Sequence, residues 1–519
     1  MRKLLAILLG VAVMLSLVII GVSADNPATE ISSADQFATM AADGNYKLTA
    51  DITISASYAN EFTGSFDGNN KTITLEGAPA FKKLTGATVS NLTLAGNVTG
   101  NGHLGALSIE GSNMTITKVT NKASVTASEM GKYVGGLVGS VTTGGGTQDA
   151  PKGSTFTDCT NEGAVTGVCG VNSKNENQVC RIGGLVGNAA KYQQNVYTNC
   201  VNKGKISTTG ESGGSPYVAG IAGSAFGGKF NKCTNYGELY SDRAAHMGGI
   251  VGRCSPSCQG GNQSVTCTDC VNNGKLTCAN NDATTSGTAG GIIGHAGASD
   301  SNKTTKALYS CVNCVNNGDI ICGGTQAGGI IGYVYGIDYA ADKAYYQYGK
   351  VDVCTNNGNL TGTKTAPQNE NGTAFEATFL SQFLGYANTC SNIITNSKGL
   401  GKLTNTNNNY NVIFGMSSDP DCVANATISG LELIKDDGTV NFNWCADGSA
   451  LGDRAASRVS LEDYLKIEGN AQKITVVEAS TGTTDPGTSA GTGDTAVIVM
   501  IVCLVSLLGM GIALKARRA

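Results

Sequence analysis

Through the middle of the chain, short apolar runs alternate with polar turns, and the alternation itself recurs. Apolar pentads framed by small residues begin at Gly135, Gly183, Ala219, Gly248, Gly290 and Gly328, and Gly135-Gly136-Leu137-Val138-Gly139 is typical. Between them lies a second signature, Cys-x-Asn-x-Gly-x-aliphatic. Its cysteines are Cys159, Cys200, Cys233, Cys270, Cys314 and Cys354; its asparagines are Asn161, Asn202, Asn235, Asn272, Asn316 and Asn356. The aliphatic positions are Val165, Ile206, Leu239, Leu276, Ile320 and Leu360. Weaker copies flank these, at Val119, Asn121, Ala123 and Val125 on one side and Ile394, Asn396 and Leu400 on the other. The marked positions follow a period of two, which is that of a strand and not of a helix.

Self-similarity over tens of residues predicts a solenoid. Units rich in Val, Ile, Thr, Tyr, Asn and Gly predict short strands and turns, hence an all-β parallel β-helix. Stacked coils bring equivalent residues within about 4.8 Å, so the asparagines form a ladder and the cysteines a buried row. Pentads at Gly220 and Gly249 are 29 residues apart, one coil of three strands, and longer spacings place loops at 142–154, 170–178, 279–287, 298–305 and 361–377. A capping-box pattern at Ser33-Ala34-Asp35-Gln36, with Phe37, Met40 and Ala41 on one side, predicts a short helix over 33–43 that covers the open end of the solenoid. Strands are clearest over 71–75 and 89–94. The whole amounts to about ten to twelve coils, a rod of roughly 50–60 Å.

The pentads alternating with Cys-x-Asn-x-Gly segments resemble the GLUG-motif repeats of bacterial surface proteins. The stretches 44–53 and 62–73 are similar to the region that precedes those repeats. The resemblance covers roughly residues 40 to 400 and implies a right-handed, pectin-lyase-like parallel β-helix on a cell surface. It implies architecture more than activity, because a fold does not fix a function.

Both ends of the chain suggest export. Residues 1–24 read as a signal peptide: Arg2 and Lys3, an apolar run, then Val22-Ser23-Ala24 at the cleavage site. Residues 25–130 hold the cap and first coils, 131–400 the repeats, 401–479 the last coils and a cap with Trp444, and 480–495 a Gly/Ser/Thr linker. The uncharged run 496–514, followed by Lys515, Arg517 and Arg518, reads as a C-terminal transmembrane helix with its end in the cytoplasm. The tail resembles sorting tails of Gram-positive wall proteins, but Ser489 and Ala490 stand where the sortase motif has Leu and Pro, so a plain membrane anchor is expected.

Composition narrows the function. Charged residues make up 14% of the chain against a usual ~25%, and the net charge is −4 with no basic stripe, which argues against a nucleic-acid partner. With 18 cysteines, Cys503 in the apolar tail leaves an odd number outside it, so pairing is incomplete. Rows of stacked cysteines are expected to be free thiols; Cys169 with Cys180 and Cys254 with Cys258 are better placed for disulfides. The pairs Cys267/Cys270 and Cys311/Cys314 have zinc-like spacing, yet three residues along a strand point to opposite faces, which argues against a metal. His103, His246 and His295 form no zinc-peptidase motif, and no activated nucleophile is recognisable. The expectation is therefore a protein that is not an enzyme and uses no cofactor. It would bind a glycan or an extracellular protein through loops, with Tyr335, Tyr339, Tyr345, Tyr346 and Tyr348 as the binding patch near Asp338 and Asp342. A polysaccharide-degrading β-helix enzyme and a passive stalk are the alternatives.

Overall fold

The computed structural model describes residues 27–478, apart from 148–149, 172–176, 191–193, 211–215, 244, 255–263, 280–286, 298–305, 335–336, 340–344, 364–377, 388–391, 406–411, 414–425, 436–438, 442–457, 467–468, 470 and 471. The expected signal peptide, linker, membrane span and Trp444, and most of the expected loops, lie outside these residues. Among the described residues no helix is long and apolar enough to cross a membrane.

Parallel strands wind into three stacked sheets, one of 32 strands and two of eight. The architecture is the expected all-β parallel β-helix. One interior row of paired residues runs from Tyr46 through Phe66, Val89, Ile116, Phe156, Tyr197, Phe230, Cys267, Cys311, Val351 and Ile394 to Ile428. The two eight-stranded sheets meet at the pentads: Tyr133–Gly135 leads into one and Val138–Val141 out along the other. Inward positions are Val, Ile, Leu, Phe, Cys and Ala and are fully buried, so each coil contributes to one continuous core.

The asparagines form an unbroken ladder. Nδ2 of Asn121, Asn161, Asn202, Asn235, Asn272 and Asn316 each donates to Oδ1 of the next asparagine at 2.8 Å. The second N–H of each goes to a carbonyl two residues on, as in Asn235 to Gly237 at 3.0 Å. The ladder amides are thereby satisfied by one another and by the backbone. The ladder ends where Gly399 pairs with Asn356 and offers no side chain. Gln382 fills that space, accepting from Asn356 at 2.7 Å and donating to the Gly401 carbonyl at 2.5 Å. Asn396 is therefore not a ladder member, contrary to the sequence alignment of the last weak copy; it sits one corner earlier, in a left-handed conformation.

The pentad glycines explain themselves against this ladder. A Cβ on Gly249 would collide with the Gly291 carbonyl and lie 2.6 Å from Cβ of Asn272; Gly220 and Gly291 stand likewise against Asn235 and Asn316. The two recurring sequence signatures thus touch across the coil interior.

A third recurrence lies just before each cysteine. Asp158, Asn199, Lys232, Asp269, Asn313 and Val353 all have φ between 52° and 55°. This left-handed corner turns the chain between two strands. It also corrects the argument about Cys-x-x-Cys: because Asp269 turns the chain, Cys267 and Cys270 are both fully buried rather than on opposite faces. Among the described residues, no group of three or more His, Cys, Asp or Glu could hold a metal. Cys169 and Cys180 are disulfide-bonded, while Cys159, Cys200, Cys233, Cys254, Cys267, Cys270, Cys278, Cys311, Cys314, Cys322 and Cys354 are free and buried. Burial pushes the Cys159, Cys233 and Cys314 thiols well up, so they act as apolar side chains. Cys258 lies outside the described residues.

The capping helix is shorter than the sequence suggests, Ala34–Ala38, with Ser33 Oγ accepting from Gln36 N at 3.3 Å. It stops early because tyrosines take over the backbone groups that a further turn would use: Ala41 N donates to the Tyr46 hydroxyl at 2.6 Å, and the Tyr58 hydroxyl to the Met40 carbonyl at 2.9 Å. Phe37 plugs the end of the core, edge-on to Phe66 and Phe81. At the other end, Leu431–Ile434 pairs with Ile474–Val477.

Two stability predictions follow from the ladder and the corner. Asn235→Ala leaves Asn202 Nδ2 and Asn272 Oδ1 without each other or a substitute, and should cost about 3 kcal/mol; Asn121→Ala, at the ladder's end, should cost clearly less. Equal losses in urea unfolding of the two variants would contradict the cooperative ladder. Val353 is β-branched in a left-handed corner and 48% exposed, so Val353→Asn should stabilise by about 1 kcal/mol; a lower melting temperature would overturn this.

Candidate functional site

The tyrosine patch expected from sequence is only partly placed. Tyr335 lies outside the described residues. Ile337–Tyr339 and Tyr345–Asp352 form an antiparallel arm in which Tyr339 faces Tyr345, and Asp338 faces Tyr346, in register. Within the arm Tyr348 is half-buried, and Asp342 lies outside the described residues. Tyr339, Tyr345, Tyr346 and Tyr348 thus belong to one arm.

A more extensive arrangement lies beside the pentads. Two residues before each pentad, the register aligns His103, Tyr133, Arg181, Tyr217, His246, Thr288, Gln326 and Phe379. One residue after each pentad, it aligns Ser140, Asn188, Ser224, Arg253 and His295, and Tyr333 stacks on His295 in the next coil. The tight pentad turn brings these two rows together, so that Arg181 donates to Asn188 Oδ1 within one coil.

The rings and guanidinium groups form a continuous run. His103 stacks on Tyr133 at 4.2 Å between centroids. The Arg181 guanidinium lies 4.8 Å from the Tyr133 centroid and 5.3 Å from that of Tyr217. Arg253 approaches Tyr217 from the following coil at 4.8 Å and also donates to its hydroxyl. Tyr217 continues to His246, His246 to His295 at 4.3 Å, His295 to Tyr333 at 4.4 Å, and Tyr333 to Tyr386 at 4.5 Å. Most members are half-buried: they are held in place yet reach solvent.

Electrostatics sharpen the picture. Burial, aided by the Arg253 charge, pushes His246 down to about 3. His295 is pushed well down by burial, with His246 and Arg253 adding to the effect. Burial also lowers His103. All three histidines are therefore neutral at pH 7, and His246 Nδ1 bonds Thr288 Oγ1 at 3.0 Å. What remains is a strip of rings, neutral imidazoles and two cations whose faces cover one another along the row. Such a strip presents ring edges, hydroxyls and guanidinium N–H groups, which can hydrogen-bond hydroxyl or anionic groups. The sequence singled out His103, His246 and His295 but gave no reason to join them with Tyr133, Arg181, Tyr217, Arg253 and Tyr386. The signal was a fixed offset from each pentad, hidden because residue type changes from coil to coil.

No family model matches the chain, and no curated protein matches it. Two solved structures are similar to parts of the chain at low scores. One, an IgA1 protease, is 14% identical with a TM-score of 0.34; the match covers 79% of this chain and 22% of that one. The other, a candidate immunoglobulin A1 protease from Bacteroides ovatus, is 18% identical with a TM-score of 0.29, covering 65% of this chain and 76% of that one. This chain thus spans about a fifth of the first protein's length, 22%. At these scores no residue's role passes from one chain to the other. The expectation that the chain is not an enzyme is nonetheless corrected: the similar structures are named for a peptidase, and the non-enzymatic assignment is withdrawn.

The buried histidines generate a pH prediction. The folded chain keeps His246 neutral down to about 3, whereas the unfolded chain protonates it near 6.5. Stability is therefore complete above pH 6.5 and falls as pH drops toward 3, by about 1.4 kcal/mol per pH unit for each such histidine. Urea midpoints at pH 7 and pH 5 should diverge for the natural chain and much less for the His246→Asn/His295→Asn double variant. Identical pH dependence in both would refute the assignment.

Proposed function

We propose that this chain is a cell-surface β-helix, GLUG-like in its repeats, that binds an extended polymer, a glycan by preference, along the pentad strip. The observation that carries the reading is the unbroken, half-buried run of rings and guanidinium groups from His103 to Tyr386. An aromatic series repeated coil after coil suits a ligand that itself repeats along the rod. The Cys169–Cys180 bridge supports a location outside the cell, where disulfides persist. The export signal and membrane anchor read from residues 1–24 and 496–519 belong to the same proposal. The tyrosine arm of Ile337–Tyr339 and Tyr345–Asp352 serves as a second contact. A polymer held this way can also be a polymer that is cut, so binding and cleavage are measured together.

The test applies the full chain to a panel of polysaccharides and extracellular-matrix proteins, reading both retention and released fragments. Tyr217→Ala and Tyr333→Ala should each weaken glycan binding by about tenfold, the scale of a lost hydrogen bond. Binding abolished only by replacing Tyr345, Tyr346 and Tyr348 would move the site to the arm. Binding to no member of the panel would end the proposal.

A further inference from the structure

Several cations of this chain meet a carboxylate. Lys83 meets Glu61 at 2.9 Å, Lys132 meets Glu129, Lys203 meets Glu162, Lys205 meets Glu238, and Arg243 meets Asp242. Arg181 and Arg253 are different. Neither has a carboxylate within ion-pair distance among the described residues. Both are half-buried, where an uncompensated charge is costly. Each donates one N–H to the strip itself, Arg181 to Asn188 and Arg253 to Tyr217, which is one of the five that a guanidinium carries.

A second observation falls at the same place. Among the described residues, the buried polar side-chain atoms that lack a protein partner include Arg181 Nε, Arg253 Nε, Ser224 Oγ and His295 Nδ1. Ser224 is fully buried and in register with Arg253. Unmet polar atoms therefore gather around two cations that lack a carboxylate partner. The acidic side chains of the same row, Glu61 and Glu110, lie in earlier coils beside Lys83, away from Arg253. The neighbouring histidines are neutral and add no compensating charge.

Arg181 and Arg253 contact Tyr217 from the preceding and following coils. Two coils separate them, about 10 Å at the strand spacing. That places two cationic positions on either side of one aromatic face, along the direction in which a bound polymer would run.

We propose that the strip takes an acidic polysaccharide, whose anionic groups meet Arg181 and Arg253 while its hydroxyls meet the edges and hydroxyl groups of Tyr133, Tyr217 and Tyr333. This rests on the polymer-binding reading above and specifies its ligand class. The anion is an oxyanion, either a uronic-acid carboxylate or a sulfate ester. Guanidinium groups clamp both through paired N–H donors.

The test measures affinity of the full chain for four probes: hyaluronan decasaccharide, the same decasaccharide with its carboxyls reduced, a keratan sulfate oligosaccharide, and poly-glutamate. Hyaluronan or keratan sulfate should bind, weaken as salt is raised, and exceed the carboxyl-reduced probe by at least tenfold. Which of the two binds identifies carboxylate or sulfate as the source. Arg181→Gln and Arg253→Gln should each weaken the acidic probe about tenfold and leave the neutral one unchanged, with melting temperature confirming the fold. Arg253→Lys keeps the charge and should recover part of the loss. If the neutral probe binds as well as the acidic ones, the acidic inference fails and the polymer reading stands. If no saccharide binds, both fail. If poly-glutamate matches the best saccharide and Tyr217→Ala has no effect on it, the ligand is an acidic peptide and the inference is overturned.

Discussion

The hydrogen bond from one asparagine amide to the next is the constraint from which the rest of this structure follows. A buried amide needs partners for two donors and an acceptor. Here each carbonyl two residues along takes one donor, and the coil on either side supplies the remainder. The arrangement works only at one register, because a slip of one residue would bring a side chain from the opposite face into line. It also works only if the opposite wall stays out of the way. The second glycine of each pentad meets that condition, since any side chain there would strike the ladder. Ladder and pentad are therefore one device, and a chain that kept either without the other would bury unmet polar groups or open a cavity.

Fixed register has a consequence for the surface. Once core positions hold neighbouring coils in line, every outward position also becomes a row, whether or not its residues match. Matched rows, such as the corner residues in which Asn199 donates to Asp158 at 3.1 Å and Asn313 to Asp269 at 2.6 Å, reinforce the stack. Unmatched rows are free to vary in chemistry. The strip beside the pentads is of that kind: its members run from imidazole to phenol to guanidinium and back to phenol, while their backbones remain in register. The core supplies the ruler, and the strip supplies the chemistry.

How much of this could be read in the sequence depends on whether residue identity repeats. Asn161 through Asn356 repeat in type, so the ladder and the parallel β-helix were both legible. The cysteine row was legible for the same reason, though not the burial of both Cys267 and Cys270, which depends on a backbone corner at Asp269 that composition does not mark. Val353 occupies that corner without resembling Asn or Asp, so its strain was invisible. The ladder's end was misread because Gln382, from the pentad position of a different strand, substitutes for an asparagine absent from its own row. The strip was missed because its residues share a place and not a type. Tyrosines crowded within one stretch, as at 335–348, attract notice more readily than tyrosines spread one per coil, although stacking brings the spread ones equally close.

Two half-buried guanidinium groups without a carboxylate partner stand out in a chain with only 14% charged residues. In a solenoid a charged side chain has up to two neighbours in its own row, so compensation is easy to evolve: a single acidic residue one coil away suffices, as Lys205 and Glu238 illustrate at 2.9 Å. Arg181 has Tyr133 and Tyr217 in those places, and Arg253 has Ser224 and His295. None of these four neighbours neutralises a guanidinium, while Tyr133 and Tyr217 hold Arg181 and Tyr217 holds Arg253. Aromatic faces fix the guanidinium orientation by cation–π attraction, and a neutral imidazole or a hydroxyl adds no opposing charge. Holding without neutralising is the arrangement that leaves a positive group ready for an anion from outside, and it distinguishes these two arginines from the paired lysines elsewhere on the rod.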